Sequence, residues 1–181
     1  MAGIFKERGI IKMPGNQKIE RHTENLAEKE MKISGYGENV FGYVYVQGET
    51  TPVSAINNAL KAAGGKPKEC VLDDYSKGGN GKAAPEYIIT LKKDLNTIIV
   101  VECKNSVKKH ESPGFSRPKD FAADGVLYYA KYLKNSFNVI AVAISGTDKT
   151  SLKVNAYYWV QNQDKYTELV KSRDIILEPE Y

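Results

Sequence analysis

The chain has 181 residues, of which 41% are hydrophobic and 27% are charged. This length is typical of one domain, and the composition excludes a disordered or collagen-like chain. A net charge of +4 with a pI near 8.8 permits a polyanionic partner without requiring one. The sequence contains no run of eighteen apolar residues and no signal-peptide core, so we expect a cytoplasmic protein.

Cysteine and histidine usage gives no sign of a zinc site. Cys70 and Cys103 are too few for a disulfide framework and lack metal-site spacing, so we expect two reduced thiols. The two histidines, His22 and His110, have no serine, aspartate or second ligand at a spacing typical of a triad or metal pair. Exposed histidines are therefore the favoured interpretation.

The first half of the chain predicts a helix, a strand and a second helix. A Pro-Gly-Asn break interrupts any period before residue 17, so we predict an N-terminal tail or arm over residues 1–17 and a single domain over residues 18–181. Strong helix formers predict a helix over residues 18–32, and a β-branched and aromatic run predicts a strand over residues 40–47.

The next segment has helix start and stop signals. Thr51 and Pro52, a capping residue and a proline at the first helical position, predict a helix that ends at the glycine pair 64–65. Residues 77–81 (KGGNG) are the loosest in composition, and we expect them to form a flexible approach to the site proposed below.

The second half predicts strands around one further helix. The apolar runs 87–91 (YIITL) and 97–103 (TIIVVEC) predict a β-hairpin with a five-residue connection. A helix over 119–134 follows, with an aromatic stripe that indicates core packing, and then strands over 137–144 and 154–160 and a C-terminal helical segment. This order predicts an α/β or α+β fold around a mixed sheet.

The hairpin has a register that can be worked out from its loop. With the loop centred on Asp94, Ile88 faces Val100 and Glu86 faces Glu102. Directly opposed residues hold their Cβ atoms about 4.5–5.5 Å apart, and two carboxylates at that distance repel unless a proton or cation lies between them. The pattern therefore predicts a cation site.

The residue types at this position suit magnesium and phosphodiester hydrolysis. Mg²⁺ prefers one or two carboxylates with water and phosphate oxygens, so Glu86, Glu102 and the main-chain carbonyl of Cys103 are candidate ligands. Lys104 shares the strand face of Glu102 and is a candidate for assisting an attacking water. Residue types alone leave open an exposed strand end with solvated side chains.

Pro85-Glu86 followed by Glu102-Cys103-Lys104 resembles the signature of PD-(D/E)XK nucleases, although the first acid is glutamate where the signature names aspartate. The runs ECKNSVKKHES, RPKDFAADGVLYYAKYL and FNVIAVAISG are similar to the N-terminal nuclease region of type IIG and type I-like restriction-modification enzymes. The resemblance implies an α/β restriction-endonuclease-like core, a mixed central sheet flanked by helices. It also implies a Mg²⁺-dependent DNA endonuclease, with Mn²⁺ as a substitute, in which Glu86, Glu102 and Lys104 are catalytic.

The resemblance also suggests auxiliary residues and partners. Glu24, Asp124 and Tyr129 are candidate auxiliary residues, but Gly125 stands where many relatives carry a glutamine four residues before the tyrosine. Double-stranded DNA is the implied partner, with a transient dimer for double-strand cleavage. The methylase motifs do not occur in this sequence, so we expect the methyltransferase and specificity regions outside this chain.

The residues that follow the proposed site include four candidate DNA contacts, Lys108, Lys109, His110 and Arg117. A solvated basic face explains these residues equally well. The alternative function is a catalytically silent or partner-dependent DNA-binding module with a nuclease-like fold. Metal-dependent cleavage discriminates between the two.

Overall fold

Three helices and six strands lie along the part of the chain that the computed structural model describes, residues 15–36, 40–71 and 78–171. Two short 3₁₀ turns occupy Val107–Lys109 and Pro113–Phe115. The elements in chain order are α1 (Gly15–Ile33), β1 (Gly42–Val46), α2 (Ser54–Ala63), β2 (Tyr87–Leu91), β3 (Thr97–Lys104), α3 (Ala122–Leu133), β4 (Asn138–Ser145), β5 (Lys153–Trp159) and β6 (Thr167–Lys171). None of the helices in these ranges has the length and apolar character needed to cross a membrane.

Six strands in the described ranges form one sheet in the order of the chain, β1 to β6. Strands β3 and β4 are parallel, and the other neighbouring pairs are antiparallel. A parallel pair needs a crossover connection, and α3 lies between β3 and β4 in the chain. The protein therefore has an α/β fold with a mixed sheet flanked by helices.

Helices cover both faces of the sheet. On one face α2 and α3 pack on Ile98 and Val100 of β3, while on the other face Ala27 of α1 packs with Val101 and Cys103. Successive side chains of a strand point to opposite faces, so β3 contributes to both cores. This double burial accounts for the continuous apolar run in its sequence.

The predicted hairpin register is confirmed. Ile88 pairs with Val100, and the regular ladder ends at the pair Tyr87 and Val101. Glu86 directly precedes β2, and its backbone N–H donates to the carbonyl of Val101 at 3.1 Å. The acids Glu86 and Glu102 thus lie one step beyond the last ladder pair.

Several predicted boundaries differ from the observed ones. Helix α1 begins at Gly15, three residues before the predicted start, and residues 1–14 of the predicted tail lie outside the described residues. The cap prediction for α2 is wrong, because Val53 is the N-cap residue and Thr51 binds the side chain of Asn57 instead.

The predicted C-terminal helical segment also differs. The chain forms β6 over Thr167–Lys171, and residues 172–181 lie outside the described residues. β6 pairs with β5 through a register shift at Ala156/Tyr157. The pairing is irregular, and the five residues of β6, TELVK, show no alternation of apolar and polar residues that would predict a strand.

Candidate active site

The predicted acids lie at one end of the hairpin, where β3 runs beside the parallel strand β4. Glu102 and Lys104 occupy the carboxyl end of β3 and pair with Ala143 and Ser145 of β4. Ligand sites in α/β sheets commonly lie at this edge. Glu102 is completely buried, and Glu86 and Lys104 are each 7% exposed. The alternative interpretation, an exposed strand end with solvated side chains, is therefore wrong.

The two oxygens of the Glu102 carboxylate have different surroundings. Oε1 accepts hydrogen bonds from the ammonium groups of Lys104, at 3.0 Å, and of Lys66. Oε2 is buried and accepts no hydrogen bond from any residue that the structure describes. Burial alone would raise the pKa of Glu102, but the charges and hydrogen bonds of the two lysines outweigh it and lower the pKa. An ionised carboxylate with one unused oxygen results.

Glu86 titrates differently from Glu102. Burial, and then the negative charge of Glu102, raise the pKa of Glu86 to about 8 against the opposing charges of Lys66 and Lys104. The charge of Glu24 on α1 adds to this increase. The negative charge of Glu102 thus opposes ionisation of Glu86, as the hairpin register predicts.

Lys66 belongs to the site and was missed by the sequence analysis. It follows Gly64 and Gly65, at which α2 ends, and Gly65 exchanges two backbone hydrogen bonds with Gly79, of 3.1 and 2.7 Å. Gly79, in the predicted flexible approach, is thus paired with this turn, and Lys77 lies outside the described residues. A lysine in a loop, 36 positions from Glu102, carries no periodic signal that would have found it.

Two tyrosines of α3, Tyr128 and Tyr129, hold the loop that carries Lys66. Both are buried in the core, as predicted for the aromatic stripe. The hydroxyl of Tyr128 donates to the carbonyl of Ala63, the last residue of α2. The Nζ of Lys66 lies 5.3 Å from the ring centroid of Tyr129, a cation–π distance. Tyr129 also hydrogen-bonds with the backbone of Ala84, and burial followed by the charges of the two acids holds the pKa of its phenol well above its usual value.

The other two auxiliary candidates, Glu24 and Asp124, lie on α1 and α3. The backbone carbonyl of Glu24 accepts a hydrogen bond from the Tyr87 hydroxyl at 3.0 Å, and the Glu24 side chain is partly exposed. The Asp124 carboxylate is fully buried and accepts from the backbone N–H groups of Ser112 and Arg117, at 3.0 and 2.8 Å, and from the Ser112 hydroxyl. These contacts fix the loop over residues 112–117.

The predicted DNA contacts divide into three exposed cations and one buried residue. Lys108 and Lys109 are exposed on the turn that follows β3, and Arg117 is exposed and pairs with Asp120 at 2.6 Å. His110 is 1% exposed, so the prediction of a surface histidine is wrong for this residue. Its Nδ1 lies 2.7 Å from the hydroxyl of Ser145 on β4, which holds the ring inside the fold.

The donor set of the site suits a hard cation. The described residues contain no group of three or more His, Cys, Asp and Glu side chains that could hold a metal. Two carboxylates, one of them with a buried oxygen that accepts from no donor among the described residues, match the small protein contribution that Mg²⁺ accepts alongside water and phosphate oxygens. Glu86 and Glu102 therefore fit such an ion.

Comparison with family models, curated proteins and solved structures finds no match to this chain. The class of fold is defined by the architecture itself, an α/β arrangement with a six-stranded mixed sheet among the described residues. We therefore infer the function from the geometry of the site.

Proposed function

We propose that this chain is a Mg²⁺-dependent DNA endonuclease with a restriction-endonuclease-like core of the PD-(D/E)XK type. The observation that carries the proposal is the environment of Glu102. One of its oxygens is held by two lysines, the other is buried without a donor in the described residues, and a second buried acid, Glu86, lies beside it. A structural ion pair would satisfy both oxygens of a buried carboxylate.

Glu86, Glu102 and the main-chain carbonyl of Cys103 are the residues that would hold the metal. Mg²⁺, for which Mn²⁺ can substitute, lowers the pKa of bound water and offsets negative charge on a phosphodiester when it is bound. The repulsion between the two acids supports this assignment, because a cation shared between them stabilises both ionised carboxylates.

Lys104 is the residue that would serve the nucleophile. Its ammonium group lies 3.0 Å from Oε1 of Glu102, which fixes the position of a donor at the site. A positioned ammonium can orient a water molecule and stabilise negative charge that develops on the phosphoryl oxygens. In the reaction a bond forms between the water oxygen and phosphorus, an ester P–O bond breaks, and the leaving oxygen gains a proton.

The exposed cations would contact the DNA backbone. Arg117 precedes Pro118, whose carbonyl oxygen lies beside Gly125 and hence close to Glu102. Lys108 and Lys109 follow the end of β3 that carries the site. Cations in these positions can bind phosphates without reading sequence. Double-stranded DNA is the proposed substrate, and recognition of a site, methylation and a second copy for double-strand cleavage would come from outside this chain.

A plasmid assay tests the proposal. Supercoiled plasmid is incubated with excess protein and Mg²⁺, Mn²⁺ or chelator, alongside the Lys104→Ala and Lys93→Ala variants. Lys93 is exposed in the turn at the far end of the hairpin and serves as the matched control. We expect nicking by the wild type and Lys93→Ala with either metal, none in chelator, and none by Lys104→Ala. Retardation of DNA that is equal in chelator, without any cut, would instead identify a DNA-binding module.

A further inference from the structure

We propose that Lys66 is a second lysine of the active site and that its ammonium group contacts the phosphate at which the DNA is cut. This inference rests on the proposed endonuclease function and goes beyond it, because no motif of the sequence points to Lys66. Lys66 would contact the substrate directly from the loop after α2, which lies outside the hairpin.

Lys66 faces outward from the charged group that it forms with Glu102 and Lys104. Its side chain is 16% exposed, against 9% for the Lys104 side chain and none for Glu102. Both ammonium groups donate to the same oxygen, Oε1 of Glu102. The Lys66 ammonium is therefore the member of this group best placed to meet a molecule that arrives from solvent.

Lys66 has more N–H donors than its contact with Glu102 uses. An ammonium group has three N–H donors, and the carboxylate oxygen takes one of them. With two ammonium groups, two ionised carboxylates and one Mg²⁺, the site would carry an excess of two positive charges, which suits a negatively charged phosphodiester. Lys66 can thus keep its contact with Glu102 and donate to a non-bridging phosphate oxygen at the same time.

The position of Lys66 is built into the fold. Gly64 has a φ of +66°, and the Gly65–Gly79 pairing sets the path of the chain just before the lysine. The ring of Tyr129 lies against its ammonium group at 5.3 Å from the centroid. A preorganised donor of this kind avoids the reorganisation that a mobile surface lysine would need to undergo during the reaction.

Two measurements on Lys66→Met, with Lys93→Met as the control, test the inference. The first is the single-turnover cleavage rate at saturating DNA with Mg²⁺, and the second is DNA affinity as a function of salt with Ca²⁺ in place of Mg²⁺. We expect Lys66→Met to reduce the rate by about 100-fold or more and to lower the slope of log affinity against log salt by about 0.9, as loss of one phosphate contact predicts. Lys93→Met should change neither quantity.

A measurement on the wild type keeps the inference testable if Lys66→Met does not fold. Acetylation of individual lysines is followed by mass spectrometry with and without duplex DNA in Ca²⁺. We expect DNA to slow acetylation of Lys66 several-fold relative to Lys93. Equal acetylation of Lys66 with and without DNA would overturn the inference.

The outcomes separate this inference from the proposed function. A wild type that cuts DNA while Lys66→Met cuts at the same rate, with an unchanged salt slope, overturns the role of Lys66 alone and leaves it as a structural partner of Glu102. A wild type that cuts DNA with neither Mg²⁺ nor Mn²⁺ overturns the endonuclease proposal and the inference together.

Discussion

Gly125 of α3 lies so close to Glu102 of β3 that no side chain fits between them. A Cβ at Gly125 would come within 3.2 Å of Cγ of Glu102 and within 2.9 Å of the carbonyl oxygen of Pro118. The carbonyl belongs to the backbone, and the Glu102 carboxylate is held by its two lysines, so neither neighbour can rotate away freely. The glycine thus sets how closely α3 approaches the charged group, and a glutamine at this position would not fit.

Replacing Gly125 with alanine tests this contact. In an ordinary helix interior the change would add roughly 0.5–1 kcal/mol of stability, because glycine loses more backbone entropy on folding. Here we expect Gly125→Ala to lower the free energy of unfolding by about 1–3 kcal/mol through overpacking and to reduce cleavage. Urea denaturation measures the first effect. A stabilised variant with full cleavage would show that Gly125 does not pack against the site.

Glu86→Gln should separate metal binding from folding. Burial and the charge of Glu102 raise the pKa of Glu86 to about 8, so near pH 7 the folded chain holds a proton there that the unfolded chain does not bind. The neutral amide removes this cost at nearly constant shape, so in chelator the unfolding temperature should equal or exceed that of the wild type. Mg²⁺ should raise the unfolding temperature of the wild type by mass action and leave that of the variant unchanged, with cleavage lost. Glu69→Gln, at an exposed position, is the control. A Mg²⁺ response retained by Glu86→Gln would contradict the assignment of this ligand.

Asp124→Asn should act on stability through the loop over residues 112–117. The carboxylate accepts from two backbone N–H groups and one hydroxyl there, and a buried hydrogen bond to a charged group contributes about 1.5–3 kcal/mol. We expect a loss of about 2 kcal/mol in urea denaturation, with the Mg²⁺ response retained. Asp120→Asn, which removes a partly exposed pair with Arg117, should cost less than about 0.5 kcal/mol. Unchanged stability with a lost Mg²⁺ response would instead make Asp124 a metal ligand.

His110 should make the fold sensitive to acid. Burial, and then the positive charge of Lys153, lower the pKa of His110 from 6.5 to about 4, against weaker opposing effects of Asn155, Glu111 and Asp124. The unfolded chain then binds a proton at His110 that the folded chain does not, so the contribution of His110 to stability is constant above pH 6.5 and falls as the pH drops toward 4. The loss is up to about 3 kcal/mol.

The variant His110→Asn, which can keep a hydrogen bond to Ser145, isolates this contribution. Urea denaturation at several pH values should give a shallower decline for the variant than for the wild type between pH 6.5 and 4. His22 is exposed on α1, so His22→Asn should retain the wild-type profile. Parallel profiles for wild type and His110→Asn would mean that the buried ring does not titrate in this range.

The hairpin was predictable because local rules determine it. Two β-branched runs with a short connection fix a register, and the period of two then places Glu102 and Lys104 on the same face of β3. This much of the candidate site follows from residues that are neighbours in the chain or across one turn.

Lys66 and His110 were not predictable in this way, because contacts between distant segments position them. Gly65 and Gly79, which are 14 positions apart, pair and so place Lys66. Ser145 on β4 holds His110 inside the fold. Strand β6 was missed for a similar reason, since pairing with β5 through a bulge defines it rather than its own alternation.

We propose that Glu86 and Glu102 share one divalent cation. Diffraction from crystals soaked in Mn²⁺, recorded at the manganese absorption edge, locates the ion directly through its anomalous signal. We predict one anomalous peak within coordination distance of a carboxylate oxygen of Glu86 and of Oε2 of Glu102, the oxygen without a donor in the described residues. A peak that touches neither acid, or no peak at saturating Mn²⁺, would contradict the claim.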